Sequence, residues 1–249
     1  DSSTEISINK EGNLENKTKE FGLNNTNGMW NAIALEDINN DGNLDILAGN
    51  IGLNFKWKAS VEKPVKMYVD DFDKNYKIDP IIFYDYFGTN VPFATKEKLI
   101  QQLPIIKKKF LKYITFAEVN SIEDLDLKET KDILTTKNLY ELRSMAFIND
   151  GKSFTKIPFP KEAQFSTIED LYVKDNQVFY TGNFDGFVTE LGKSSSNSGG
   201  QFLFIDGNFK ENKSLNLPRN FFGRKIMPIK KDSLLVLSNN GQSFITNSK

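Results

Sequence analysis

The chain has no cysteine and no histidine in its 249 residues. Without cysteine there is no disulfide, no thiolate zinc site and no thiol nucleophile. Without histidine the commonest general base and the commonest transition-metal ligand are both missing. Only hard, oxygen-rich metal sites stay open to such a composition. Charge of one sign is lacking too: 32 Lys and Arg stand against 33 Asp and Glu, for a formal charge of -1. A nucleic-acid footprint needs a clear basic surplus, so that class of partner is not expected. No apolar run approaches the ~20 residues that span a bilayer as a helix, so no transmembrane segment is expected. The opening Asp1-Ser2-Ser3-Thr4 is not a charged-then-apolar leader. A chain whose signal peptide has been removed starts this way, and so does a piece of a longer protein.

What is present is a repeat. Apolar residues at 39% suffice for a full core at this length. Three stretches share one plan: a short strand, a glycine turn, a polar strand, then two apolar strands ending at Asn. The first runs Ile8 to Leu14, then Ile33 to Asp37, then Ile46 to Asn50. The second runs Ile148 to Phe154, Ile168 to Val173 and Val178 to Asn183. The third runs Ile205 to Phe209, Lys225 to Ile229 and Leu234 to Asn239. Asn183 and Asn239 stand about 56 residues apart, a spacing of the kind seen in propeller blades. The expected fold is therefore all-β: a partial β-propeller of about four blades, with residues 1-249 as one propeller portion.

Between the first two copies the pattern departs. Val65-Lys-Met-Tyr-Val69 and Pro80-Ile-Ile-Phe-Tyr84 read as another hairpin. From about 96 to 127 the period becomes helical, with Leu99, Leu103, Ile106, Phe110 and Leu111 on one side and Lys107 to Lys109 on the other. Pro104 should break this small helical insertion into two short helices, leaving the lysines on a solvated face. Residues 192–200, with Ser194-Ser-Ser-Asn-Ser-Gly-Gly200, read as a flexible loop.

Chemistry concentrates in one turn. Asp37-Ile-Asn-Asn-Asp-Gly-Asn-Leu-Asp45 sets oxygen-bearing side chains at its first, third, fifth and ninth positions. Calcium takes 6–8 oxygens, and alternating short carboxylates and amides can wrap it from one backbone loop. Gly42 allows the sharp turn, and Asn43 is expected to offer its backbone carbonyl. An EF-hand would need Glu at the twelfth position, where Ala48 stands, and both flanks read as strands. The metal ligands expected are thus Asp37, Asn39, Asp41, Asn43 and Asp45; the competing reading is a polar turn without metal. Asp71-Phe-Asp-Lys-Asn-Tyr-Lys-Ile-Asp79 repeats the spacing with Asp71, Asp73, Asn75 and Asp79. There Tyr76 takes the glycine position at an awkward backbone angle, and Lys74 and Lys77 dilute the negative charge. This second site is expected to bind calcium more weakly. The matching turns Lys174 to Gln177 and Lys230 to Ser233 have lost the ligand set, so those blades should be metal-free.

Asp37 to Asp45 followed by Ile46-Leu-Ala-Gly-Asn-Ile-Gly-Leu-Asn54 resembles the FG-GAP/VCBS repeats of integrin-type propellers. Asp71 to Asn75 with Asp79-Pro-Ile81, Gln102 to Phe110, Ala163 to Ser166 and Thr181 to Phe184 resemble the C-terminal part of the cartilage-acidic-protein-like lipoproteins of Bacteroidota. The resemblance spans most of residues 21–245. It implies a propeller, calcium in both loops with Lys77 filling the seventh place of the second, and export to the cell surface, outer membrane or exterior. The sequence departs from the family pattern at Tyr76 and carries no cysteine for a lipid anchor, so anchoring would belong to a longer precursor. With three and a half to four blades visible against the 4–8 of closed rings, further blades or a partner segment are expected to complete the circle.

The function expected is a non-enzymatic, calcium-stabilised binding scaffold that engages an envelope or outer-membrane protein, such as a transport assembly, or a glycan. Trp30, Trp57, Phe221 and Phe222 are the aromatics weighed for such contacts, against ordinary packing. The alternative is a propeller-type carbohydrate-active enzyme, a hydrolase or lyase. For that role only Glu141 with Arg143, and Glu169 with Asp170, offer pairs of charged groups.

Overall fold

The computed structural model describes residues 5–239 and 241–247; Asp1 to Thr4, where the chain opens, lie outside them. The chain divides into two compact units. Trp57–Glu141 forms one, and the segments before and after it form the other. All sheets are antiparallel, and none closes on itself.

The larger unit stacks three sheets in chain order. Strands β1 (Ser7–Lys10) and β2 (Asn13–Asn16) form a lone hairpin. β3 (Ala32–Glu36) and β4 (Asp45–Gly49) follow. The chain then leaves to build the smaller unit and returns as β9 (Met145–Asn149) and β10 (Phe154–Pro158), which pair onto β4 in the order β10-β9-β4-β3. A second sheet is the meander β11 (Ile168–Lys174), β12 (Gln177–Gly182), β13 (Gly199–Ile205) and β14 (Asn208–Ser214). A third holds β15 (Gly223–Lys230), β16 (Ser233–Ser238) and β17 (Phe244–Asn247). Each sequence copy therefore straddles two sheets, joining the outer hairpin of one to the first two strands of the next.

Burial follows from this stacking. Successive strand residues point to opposite faces, and the middle sheet is covered on both. On β12, Val178 and Tyr180 enter one core with Leu47, Ala146, Phe202 and Phe209, while Phe179 between them enters another with Phe221, Ile226 and Val236. That is why Val178-Phe-Tyr reads as an unbroken apolar run. The first sheet's other face covers Leu23 and Trp30 through Ala48, Met145 and Phe147. Where sheets meet most closely, glycine is required. A Cβ on Gly182 would overlap the backbone carbonyl of Thr167, and one on Gly49 would lie 2.6 Å from Ile168 Cγ2.

The smaller unit carries β5 (Val65–Asp70), β6 (Asp79–Tyr86), β7 (Thr89–Pro92) and β8 (Thr135–Leu139) in the order β7-β6-β5-β8. The expected hairpin is β5–β6. Helix α1 (Lys96–Gln102) starts at Thr95, whose hydroxyl accepts from Lys98 N. Pro104 opens a separate 3-10 turn (Pro104–Lys108), and α2 (Tyr113–Ala117) follows. Leu99, Leu103, Ile106 and Phe110 pack on Tyr68, Ile81 and Phe83, as their period requires. Leu111 does not: it is 77% exposed, because the tighter turn after Pro104 ends the helical phase. The three lysines are exposed, and Lys109 pairs with Asp126 at 3.1 Å.

The serine-rich run is hydrogen-bonded to its surroundings. Ser194 accepts from Thr167 N at 2.7 Å, Ser198 Oγ donates to Pro218 O at 2.7 Å, and Gly199 and Gly200 already belong to β13. Short hydroxyl side chains there satisfy backbone groups that are buried. Gly182→Ala is expected to cost about 1–3 kcal/mol, the usual penalty for forcing atoms into a packed core. Urea denaturation of the variant beside wild type measures it.

Candidate metal centre

Both acidic loops are hairpin connections, residues 37–44 between β3 and β4 and 71–78 between β5 and β6. The bonds from their backbone N–H groups to side-chain oxygens correspond, donor for donor. In the first, Asp41 N donates to Asp37 Oδ1 (3.0 Å) and to Asn39 Oδ1 (3.1 Å), and Gly42 N to Asp37 Oδ2 (2.9 Å). In the second, Asn75 N donates to Asp71 Oδ1 (2.9 Å) and to Asp73 Oδ1 (3.2 Å), and Tyr76 N to Asp71 Oδ2 (2.8 Å). Asn43 N to Asp41 Oδ1 matches Lys77 N to Asn75 Oδ1, both at 2.8 Å. Ile38 N to Asp45 Oδ2 (3.1 Å) matches Phe72 N to Asp79 Oδ2 (3.3 Å). Backbone donors thus hold each oxygen-bearing side chain in place and leave its remaining lone pairs for a cation.

The backbone angles agree as well. The fourth residues, Asn40 and Lys74, have φ of 59° and 60°; the sixth, Gly42 and Tyr76, have 91° and 66°. Tyr76 does accept the left-handed conformation that its sequence position demanded. Its side chain is 99% exposed, so no packing recompenses that strain.

The two loops differ in where carboxylates gather. Among the described residues, Asp71, Asp73 and Asp79 form the one acidic trio whose oxygens lie within 4.8 Å of one another. Carboxylates that close repel unless a cation or proton sits among them. The sequence ranked this loop second, but it has Asp73 where the first has Asn39. In the first loop the Asn39 amide donates to Asp41 Oδ2 at 2.8 Å, spending an oxygen inside the loop. Asn39 and Asn43 also hold the Asp41 carboxyl below its ordinary range, chiefly through the Asn43 N–H. Asp45 is fully buried and accepts from Asn149 N at 2.7 Å on its other oxygen. Burial pushes the carboxyls of Asp45 and Asp79 up, against the N–H groups that stabilise their charge.

Calcium fits the donor set. Asp71, Asp73, Asn75 and Asp79 offer side-chain oxygens, and the Lys77 carbonyl a fifth; Asp37, Asn39, Asp41, Asp45 and the Asn43 carbonyl offer the same in the first loop. Sequence reasoning missed two supports. Asn149 anchors the ninth residue of the first loop, and Gln102 bonds Asp79 and the Pro80 carbonyl beside the second. Both come from distant segments, so no local spacing signals them. Asp70, just before the second loop, accepts from Lys128 Nζ at 2.7 Å and Leu134 N at 2.8 Å, which holds its carboxyl below the ordinary range.

The other charged pairs are engaged in packing. Glu169 meets Arg224 at 3.3 Å, and Asp170 accepts from Lys225 Nζ (2.9 Å) and Ile226 N (2.8 Å), so both latch β11 to β15. Glu141 and Arg143 also have interaction partners. Of the aromatics, half-buried Trp30 packs edge-on to Phe147, Trp57 edge-on to Phe93, and Phe221 lies in the core; Phe222 is half-exposed on a cavity wall. No described helix is long and apolar enough to cross a membrane. No protein-family model matches the chain, and no curated protein matches it.

Burial raises the Glu169 carboxyl above its ordinary 4.5, with Arg224 opposing. The folded state then keeps a proton that the unfolded chain has lost, so stability falls as pH rises through that window. Thermal midpoints between about pH 4 and 7 should show this slope, and Glu169→Gln should flatten it.

Proposed function

We propose that this chain is a calcium-stabilised binding scaffold of the cell envelope, built as part of an FG-GAP/VCBS-type β-propeller. The observation that carries the reading is the shared hydrogen-bond network of the two nine-residue loops, with three carboxylates gathered in one of them. Loops in two separate units hold the same side-chain oxygens on the same backbone donors, which leaves matching lone pairs for a cation in each. The stacking of sheets through β3, β11 and β15, each the first strand of its sheet, supports a blade-like arrangement. On that reading the β1–β2 hairpin is the outer half of a blade, and the unpaired β3 edge with exposed Ile33 and Leu35 faces where its inner half would lie.

In this role calcium performs no chemistry. It ties strand ends at each hairpin and so fixes the rim that meets a partner, an envelope or outer-membrane protein or a glycan. Extracytoplasmic calcium suffices to fill weak sites of this kind. A site held at a hundred times its Kd adds roughly 2.7 kcal/mol to the folded state.

Calorimetry on the intact chain tests the reading. The thermal midpoint should rise with calcium and fall on chelation, and Asp73→Ala should remove part of the rise. A midpoint that ignores both calcium and chelator refutes it. Tyr76→Gly should strengthen the second site several-fold, since glycine adopts the left-handed angle without the ~1 kcal/mol cost that a side chain brings. Calcium titration of wild type against the variant reads that gain directly.

A further inference from the structure

The metal loops leave unused a cavity of about 490 Å³ in the larger unit, beside β15 and β16. Asp185, Asn220, Phe222, Arg224, Asn239 and Gln242 line it. Cavities of roughly 300–1,000 Å³ take small ligands rather than polymer backbones.

Four of its polar side chains are unspent among the described residues. The side chains of Asp185, Asn220, Asn239 and Gln242 make no hydrogen bond or ion pair among the described residues. Elsewhere in this unit amides are structural: Asn50 Oδ1 accepts from Met29 N, and Asn183 Nδ2 donates to Phe221 O at 2.9 Å. Asn239 occupies the same repeat position as those two buried residues, yet it is exposed. The amide that staples sheets in two copies makes no hydrogen bond to the described residues in the third.

Arg224 gives the site a rigid member. Its Nη1 donates to Asn183 O at 2.8 Å, its guanidinium pairs with Glu169, and it lies 5.4 Å from the centre of the Phe184 ring. Five N–H donors in a fixed fork leave some for a ligand. The remaining set combines amides, each a donor beside an acceptor, with a carboxylate acceptor and a half-exposed aromatic ring. A ligand that satisfies it must carry many hydroxyls, each both donor and acceptor, together with an apolar C–H face. An aliphatic ligand would strand the amides, while a neutral polyhydroxyl ligand satisfies the Asp185 acceptor and the Arg224 donors alike.

We propose that this cavity binds a neutral saccharide of one or two rings, with Phe222 against the ring face and Asp185, Asn220, Asn239 and Gln242 on its hydroxyls. The proposal deepens the scaffold reading by naming its ligand class and rests on that reading only for the binding role.

Saturation-transfer NMR on the intact chain tests it with lactose, maltose, cellobiose and chitobiose at millimolar concentration, with calcium and after chelation. In calcium, transfer to ring C–H protons of at least one disaccharide is expected. Phe222→Ala should abolish it, and Gln242→Ala, at an exposed position remote from the core, should weaken binding about fivefold. The proposal is overturned if none of the four shows transfer in calcium, or if transfer is undiminished in the Phe222→Ala, Gln242→Ala double variant. A calcium-dependent rise in thermal midpoint without sugar binding keeps the scaffold and removes this site; loss of both removes both.

Discussion

The larger unit depends on how closely its sheets approach at their strand ends. Gly49 abuts Ile168, Gly182 abuts Thr167, and a Cβ on Gly223 would overlap the Thr181 hydroxyl. At that distance no side chain fits, and backbone polar groups are shut away from water. Each must find a partner nearby. The residue following glycine answers this twice. Asn50 N donates to Ser144 Oγ and its carbonyl accepts from Ile168 N, while Asn183 N donates to Thr167 O. Gly-Asn is therefore one device: glycine permits the approach, and asparagine satisfies what the approach buries. In the third copy Ser238-Asn239 replaces it, and Asn239 is exposed. Without close approach there, neither glycine nor a bonded amide is required.

The acidic loops obey a different constraint, one that is local. They sit in separate units and on sheets of different strand order. Their shared geometry therefore cannot come from the surrounding fold. It comes from side-chain oxygens at the first, third and fifth positions capturing backbone N–H groups further along the same loop, which forces a left-handed residue at the fourth and sixth places. Tyr76 measures the strength of that capture, because it is held at φ 66° with its side chain in water.

The same distinction explains what the sequence made legible. Strand positions, the hairpin role of both loops, the break at Pro104 and the buried face of Leu99 to Phe110 all follow from short-range pattern, and all are found. The order of elements in each copy was legible; that a copy spans two sheets was not, because pairing is set by the long-range contacts of β4 with β9 across the inserted unit. The exposure of Leu111 and the hydrogen bonds of the serine run were not legible, for a related reason. One depended on the pitch of a turn after proline, the other on which backbone groups the neighbouring sheet would bury. In the candidate centre the nine-residue pattern of oxygen-bearing side chains was readable from spacing, whereas Asn149 and Gln102, which brace the ninth position, come from another strand and a helix.

How the acidic residues are distributed bears on what chemistry the chain can support. A general base needs a carboxylate free to take a proton beside a substrate. Glu169 and Asp170 instead bind Arg224, Lys225 and a backbone N–H between sheets, and Asp70 holds Lys128. Asp71, Asp73 and Asp79 are fixed by backbone donors at a spacing that favours a cation among them. Asp185 lies on the cavity wall with Arg224 and the amides of Asn220, Asn239 and Gln242, and makes no ion pair among the described residues. Paired-carboxylate hydrolysis needs two such groups facing one substrate. Among the described residues of the cavity wall Asp185 is the one carboxylate, set with Arg224, three amides and the phenylalanine rings, a combination able to recognise hydroxyls.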